Sequence, residues 1–216
     1  MDLTTFSPGS ALVTIILLAL APFAAVMVTS FTKIVVVLSL LRNALGLQQT
    51  PPNIVLNGLA LVLTAFVMYP VGLEINDIIS ASNTDLTSTG GLTGLSVEAR
   101  EPLREFLLKH SDPQHRAFFL STITQVLGAK GPVISDTDLI ILVPSFTVSE
   151  LAEAFQIGFL IFLPFLVIDL VVANILLAMG MMMLSPTIIS LPFKLLLFVM
   201  INGWAQLVHG LVLSYV

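Results

Sequence analysis

Long apolar runs alternate along this chain with short polar interruptions. Residues 11–32 hold no charged side chain, and at about 1.5 Å rise per residue such a stretch crosses a hydrocarbon layer of about 30 Å. Apolar character continues past Lys33 through IVVVLSLL to Arg42, so this first helix is expected to overrun the membrane or bend, with a kink at Pro22. LGLQQTPPN, residues 45–53, reads as a loop, because paired prolines end a helix and disfavour helical backbone at the residue before them. A second span follows in IVLNGLALVLTAFVMYPVGL, residues 54–73, and Glu74 and Asp77 mark its arrival in water.

From residue 79 the pattern changes. SASNTDLTSTGGLTGLS is rich in Ser, Thr and Gly and reads as a flexible loop leading into a small polar region. There EPLREFLLKH places Pro102 in a first helical turn and Glu105 four residues before Lys109, and DPQHRAFFLSTITQVLG restarts with Asp112 as cap and Pro113 behind it. Phe119, Ile123 and Val126 recur at helical spacing and could cover a small core, but about fifty residues give little buried area, so the insert is expected to lean on the rest of the chain. Beyond this region, residues 154–208 are apolar apart from Asp169 and Lys194 and are split by LSPTIISLP, which makes a second hydrophobic hairpin. The expected fold is an all-α membrane protein with about four apolar spans in two long bent helical hairpins and a small polar α-helical insert. The hairpins occupy residues 1–73, turning near 43–53, and 143–216, which carries a Met-rich loop at 179–186; the insert is 74–142.

Composition narrows the class. The chain is 56% hydrophobic and 10% charged, with a mean hydropathy of +1.04, whereas about a quarter of the residues of a soluble domain are charged. With no cysteine, disulfides, thiolate metal sites and cysteine nucleophiles are excluded. A net charge of -5 with eight scattered Lys and Arg argues against nucleic acid as a partner. The first ten residues lack the positive charge of a secretory leader, so residue 11 onward is expected to be retained structure. Lys33, Arg42 and Lys194 fall in or near the two hairpin turns, which directs both turns to the cytoplasm, while the acid-rich insert suits the periplasmic side.

Two charges lie inside apolar runs. Asp169 in PFLVIDLVVANILL and Lys194 in LPFKLLLF would each cost roughly 2.5 to 3.5 kcal/mol in hydrocarbon without a partner. Their midpoint in sequence falls inside the Met cluster, so a hairpin turning there brings them to similar depth; a turn nearer Pro186 offsets them by several residues and leaves pairing between neighbouring subunits equally open. A structural ion pair and a proton or ion relay are both open, although relays usually chain several titratable groups and no other acid lies in this run. Lys33 raises the same question and has the option of snorkelling to the interface. Catalytic motifs such as HExxH, GxSxG or a phosphate-binding loop are absent. His110 and His115 are off the i, i+4 spacing of a helical metal site, and His209 reads as interfacial, so no metal or cofactor is called for.

Met179, Met181, Met182 and Met183 are half of the eight methionines in the chain. Gly180 lends the loop backbone freedom and Ser185-Pro186 ends it. Unbranched thioethers either fill an irregular helix interface or repack around whatever passes them, and composition leaves both readings open.

Three stretches together, LLRNALGLQQTPPN (40–53), VPSFTVSELAEAFQIGFLIFLPFLVIDLVVANILLAMGMMMLSP (143–186) and LPFKLLLFVMINGW (191–204), resemble the FliP/SctR family of type III secretion export-gate proteins, with the injectisome branch favoured. The resemblance covers most of both hairpins and none of residues 74–138. It implies a non-enzymatic gate in the bacterial inner membrane. About five copies would join SctT/FliR-type and SctS/FliQ-type subunits in a helical, pseudo-symmetric hetero-oligomer around a pore, largely at the periplasmic face. SctU/FlhB-type and SctV/FlhA-type export proteins, membrane lipid and unfolded secreted substrates are the further partners implied. In such a family Met181 to Met183 line a constriction that seals the channel, and charges stand at the positions of Asp169 and Lys194. A different class, a small secondary transporter or ion channel working through Asp169 and Lys194, would function alone or as a small homo-oligomer.

Overall fold

A computed structural model of the chain describes residues 25–81, 100–128 and 133–216, together with residues 15, 16, 19, 20, 22 and 23. Part of the first expected span, including residues 21 and 24 about Pro22 where the kink was expected, and most of the Ser/Thr/Gly-rich stretch therefore lie outside the described residues. Residues 25–27 are helical, the chain bends at 28–30, and α1 (Phe31–Ala44) begins. Then follow α2 (Asn53–Val67), α3 (Tyr69–Ala81), α4 (Arg100–Lys109), α5 (Pro113–Leu127), α6 (Leu139–Ala178), α7 (Pro186–Met200) and α8 (Gly203–Leu213). Every regular element among the described residues is a helix.

Two of the expected spans differ from the sequence expectation in shape. Among the described residues one helix, α6, is long and apolar enough to cross a membrane; α2 with α3 and α7 with α8 qualify only as bent pairs, at 52° and 61°, which gives one to three spans there, with the first expected span lying partly outside the described residues. Pro70 explains the first bend: it has no N–H to continue the ladder of α2, and its ring clashes with the carbonyl four residues back. Asn202 explains the second, holding the left-handed backbone (φ 53°, ψ 46°) that stops α7, a conformation asparagine tolerates better than most side chains. Forty residues long, α6 would extend about 60 Å, and it carries Pro144 and Pro164 within it.

At the centre lies α1, whose Ile34, Val37, Leu38 and Leu41 are fully buried, packed against α6 and α2. Leu56, Ala60 and Leu63 of α2, Ala154 of α6 and Leu211 of α8 complete that core, and Phe165 and Phe198 close it around the end of α1. A separate cluster of Phe106, Leu107, Leu142, Phe146 and Tyr215 seats α4 on the start of α6. The divergence of α7 and α8 leaves an apolar cleft of about 630 Å³ lined by Leu41, Ile161, Phe165, Phe198 and Leu207, among others. In the most apolar stretch of α6 few residues are buried against the other described residues.

The insert helices form as their caps foretell: Asp112 accepts from the Gln114 N–H at 2.7 Å, and Pro113 opens α5. A small core on α5 does not form. No residue of α5 is buried and Val126 is exposed. A polar anchor holds the helix instead, because the buried Ser149 hydroxyl of α6 takes the Asp112 N–H at 2.8 Å and meets His115 Nδ1 at 2.9 Å.

Candidate functional site

The turn between α6 and α7 carries the methionines. Helix α6 ends in a Schellman motif: the Gly180 N–H donates to the Leu177 carbonyl at 3.0 Å and the Met181 N–H to the Leu176 carbonyl at 2.9 Å, with Gly180 at φ +72°. A Cβ there would meet no neighbour, so the requirement for glycine comes from the backbone angle. Met179, Met181, Met182 and Met183 are all exposed, Met182 and Met183 most of all. Ser185 then caps α7 with its backbone carbonyl, without a side-chain bond, and Pro186 takes the first helical position, where its missing N–H costs nothing. The four thioethers thus stand on a short tip fixed at both ends.

The turn from α1 to α2 uses the same device. Gly46, at φ +76°, donates to the Asn43 carbonyl at 3.0 Å, and the Leu47 N–H reaches the Arg42 carbonyl at 3.2 Å. A Cβ built on Gly46 would lie 3.7 Å from Thr187 Cγ2, so the two turns stand side by side at one end of the molecule.

Beneath the methionine tip, Lys194 Nζ lies 2.6 Å from Asp169 Oδ2. Asp169 is nine residues before the end of α6 and Lys194 eight after the start of α7, so at about 1.5 Å per residue both sit some 12 to 14 Å from the turn. The two expected partners are therefore brought together within one chain. Lys194 Nζ also donates to the Ala44 carbonyl at 3.2 Å, satisfying a group that the end of α1 leaves free. Ser190 Oγ donates to Asp169 Oδ1.

Lys33 takes a different place from the interfacial one open to it in sequence. Its side chain is 1% exposed, 3.0 Å from Glu150 Oε1 and 2.7 Å from Glu153 Oε2, with Nζ 4.2 Å above the Tyr215 ring. Glu150 is 0% exposed and its other oxygen accepts the Tyr215 hydroxyl. Sequence reading missed Glu150, Glu153, Ser190 and Tyr215. The two glutamates at i, i+3 near the start of an apolar run were the available signal, since they share one helix face.

His110, at the end of α4, packs on Phe106 and Tyr215 with ring centroids 4.7 and 5.1 Å away. Burial, then the positive charges of Lys109 and Lys33, lower its pKa from 6.5 to about 4. Because the folded pKa lies below the unfolded one, this histidine's contribution to stability is complete above pH 6.5 and is lost as pH falls from 6.5 towards 4. A His110→Gln variant is expected to lose less of its melting temperature over that interval than the parent. Solvent screening at this half-buried ring holds the difference to about 1 kcal/mol; parallel melting curves for the two would refute it. The Ser149 hydroxyl donates to the Ser145 carbonyl at 2.8 Å, which leaves its one proton committed and makes His115 the donor of their contact. Among the described residues no group of three or more His, Asp or Glu side chains is placed to hold a metal.

One apolar helix of membrane length, two bent helix pairs and ion pairs anchored on the buried Lys33 and Lys194 define an all-α protein of membrane class. The FliP family profile matches residues 14–211. Hypersensitivity response secretion protein HrcR of Ralstonia nicotianae is 50% identical over 213 residues, 96% of this chain and 97% of its own. Yop proteins translocation protein R of Yersinia pestis is 53% identical over 200 residues, 92% of each chain. Flagellar biosynthetic protein FliP of Bacillus subtilis is 45% identical over 197 residues, 91% of this chain and 87% of its own. The chain belongs to the FliP family of type III secretion proteins.

Proposed function

We propose that this protein is a pore-forming subunit of a type III secretion export gate, conducting unfolded proteins across the bacterial inner membrane with Met181, Met182 and Met183 as the seal. The observation that carries the reading is the tip itself. Buried thioethers would be core filler, but these are exposed at the end of a hairpin whose backbone is fixed on both sides. A ring of such side chains, one tip from each of about five copies, closes around a narrow axis and repacks around a passing polypeptide of any sequence. The uncovered apolar face of α6 and the cleft between α7 and α8 supply surface for packing against neighbouring copies, SctT/FliR-type and SctS/FliQ-type subunits and lipid. Residues 74–142 would form the periplasmic insert between the two hairpins, and the assembled gate would stand largely at the periplasmic face, in reach of SctU/FlhB-type and SctV/FlhA-type export proteins. The protein acts as a conduit and not as a catalyst. Asp169 and Lys194 satisfy one another within the chain, which favours a structural pair over a transport site.

Replacing Met181, Met182 and Met183 together by glycine is expected to let ions pass through purified, assembled complexes reconstituted in vesicles, while assembly is unchanged. Ion flux equal to that of the parent complex would refute the sealing role.

A further inference from the structure

The seal depends on where the methionine tip points, and one fully buried polar side chain near it has no part in the charge pair as such. Ser190 is 0% exposed and sits one helical turn beyond Pro186 and one turn before Lys194. Its hydroxyl has two acceptors in reach, the Thr187 carbonyl at 3.2 Å on its own helix and Asp169 Oδ1 on α6. One proton serves one of them at a time, and the charged carboxylate is the stronger acceptor. Asp169 is one-third exposed, so without that bond its carboxylate has an open side on which to turn, and Lys194 would follow it away from Ala44.

The geometry points to Ser190 as a positioning residue for the seal: by holding Asp169 Oδ1 it fixes the rotation of α7 on α6, and with it the direction in which Met181 to Met183 project. This rests on the sealing function proposed above. Lys194 alone does not set that rotation, because a long flexible side chain keeps its ion pair over a range of helix positions. A serine side chain has one rotatable bond to its oxygen and reaches Asp169 only when α7 presents this face.

The test uses complexes assembled with their partner subunits and reconstituted in vesicles. Ser190→Val and Ser190→Thr have nearly the same shape and differ in the hydroxyl. Ion leak is expected to rise about tenfold in the valine variant, as for a lost hydrogen bond to a charged group, and to stay at the parent level in the threonine variant. Ser190→Ala, which adds no bulk, is expected to leak like the valine variant. Since the chain has no cysteine, a spin label attached through Met182→Cys reads the tip directly, and its mobility is expected to rise with Ser190→Ala. Equal leak in the threonine and valine variants, or a sealed alanine variant with an unmoved label, overturns the role of Ser190. Failure of Ser190→Ala to assemble while Ser190→Thr assembles also overturns it, since the serine would then hold the fold and not the tip. The glycine replacement of Met181 to Met183 serves as reference: leak there with a sealed Ser190→Ala refutes this inference alone, whereas no leak in either refutes the seal itself.

Discussion

Asp169→Lys is expected to prevent assembly of the secretion complex. The introduced ammonium would meet Lys194 Nζ where a carboxylate oxygen now lies 2.6 Å away, and Lys194 has almost no exposed surface through which to escape. Breaking a buried pair costs about 3 to 5 kcal/mol, and like charges in place of opposite ones add to that. The exchange Asp169→Lys with Lys194→Asp is expected to restore assembly only in part. The Ser190 hydroxyl can turn to accept from the new lysine, but the new carboxylate faces the Ala44 carbonyl, and two acceptors cannot bond. Native-gel electrophoresis reads the outcome directly. Normal complexes from Asp169→Lys alone would sink the claim that this pair holds the two arms of the hairpin.

The second large effect is at Lys33. Lys33→Met leaves Glu150 buried with no cation beside it and removes the partner of Glu153 as well. Methionine fills similar volume, so the loss is electrostatic, about 3 to 5 kcal/mol, or on the order of 10 °C in the melting temperature of the purified complex. Lys33→Met with Glu150→Leu recovers much of it, because replacing both members of a buried pair by apolar groups is often neutral. Recovery stays incomplete while the Tyr215 hydroxyl lacks its acceptor. Melting temperatures for the two variants that coincide with each other would contradict this account.

What could be read from the chain beforehand follows the range over which each force acts. Helix ends and turns are local, so the Asp112 cap, the loop at 45–53 and the Gly180 to Pro186 tip stand where their residues place them. The pairing of Asp169 with Lys194 was legible because a hairpin turning near its midpoint makes it nearly local. The bends were harder: residues 54–73 have the hydropathy of a straight span, and Pro70 turns the helix without altering that hydropathy. The partners of Lys33 lie on a helix far along the chain, and no periodicity connects them. On α5 the apolar spacing was real but misleading, since a serine and a histidine anchor that helix while Val126 faces outward.

Helix α1 is held at both ends by lysines of different helices. Lys33, its own, ties the first turn to Glu150 and Glu153 of α6; Lys194 of α7 grips the carbonyl of its last residue, Ala44. Ala44 lies eleven residues beyond Lys33, about 16 Å of helix whose apolar side is fully buried. An unbroken line of contacts therefore joins the base of the α6–α7 hairpin through Lys194 and Ala44 to Lys33, and from there to Tyr215 and the aromatic cluster that seats α4.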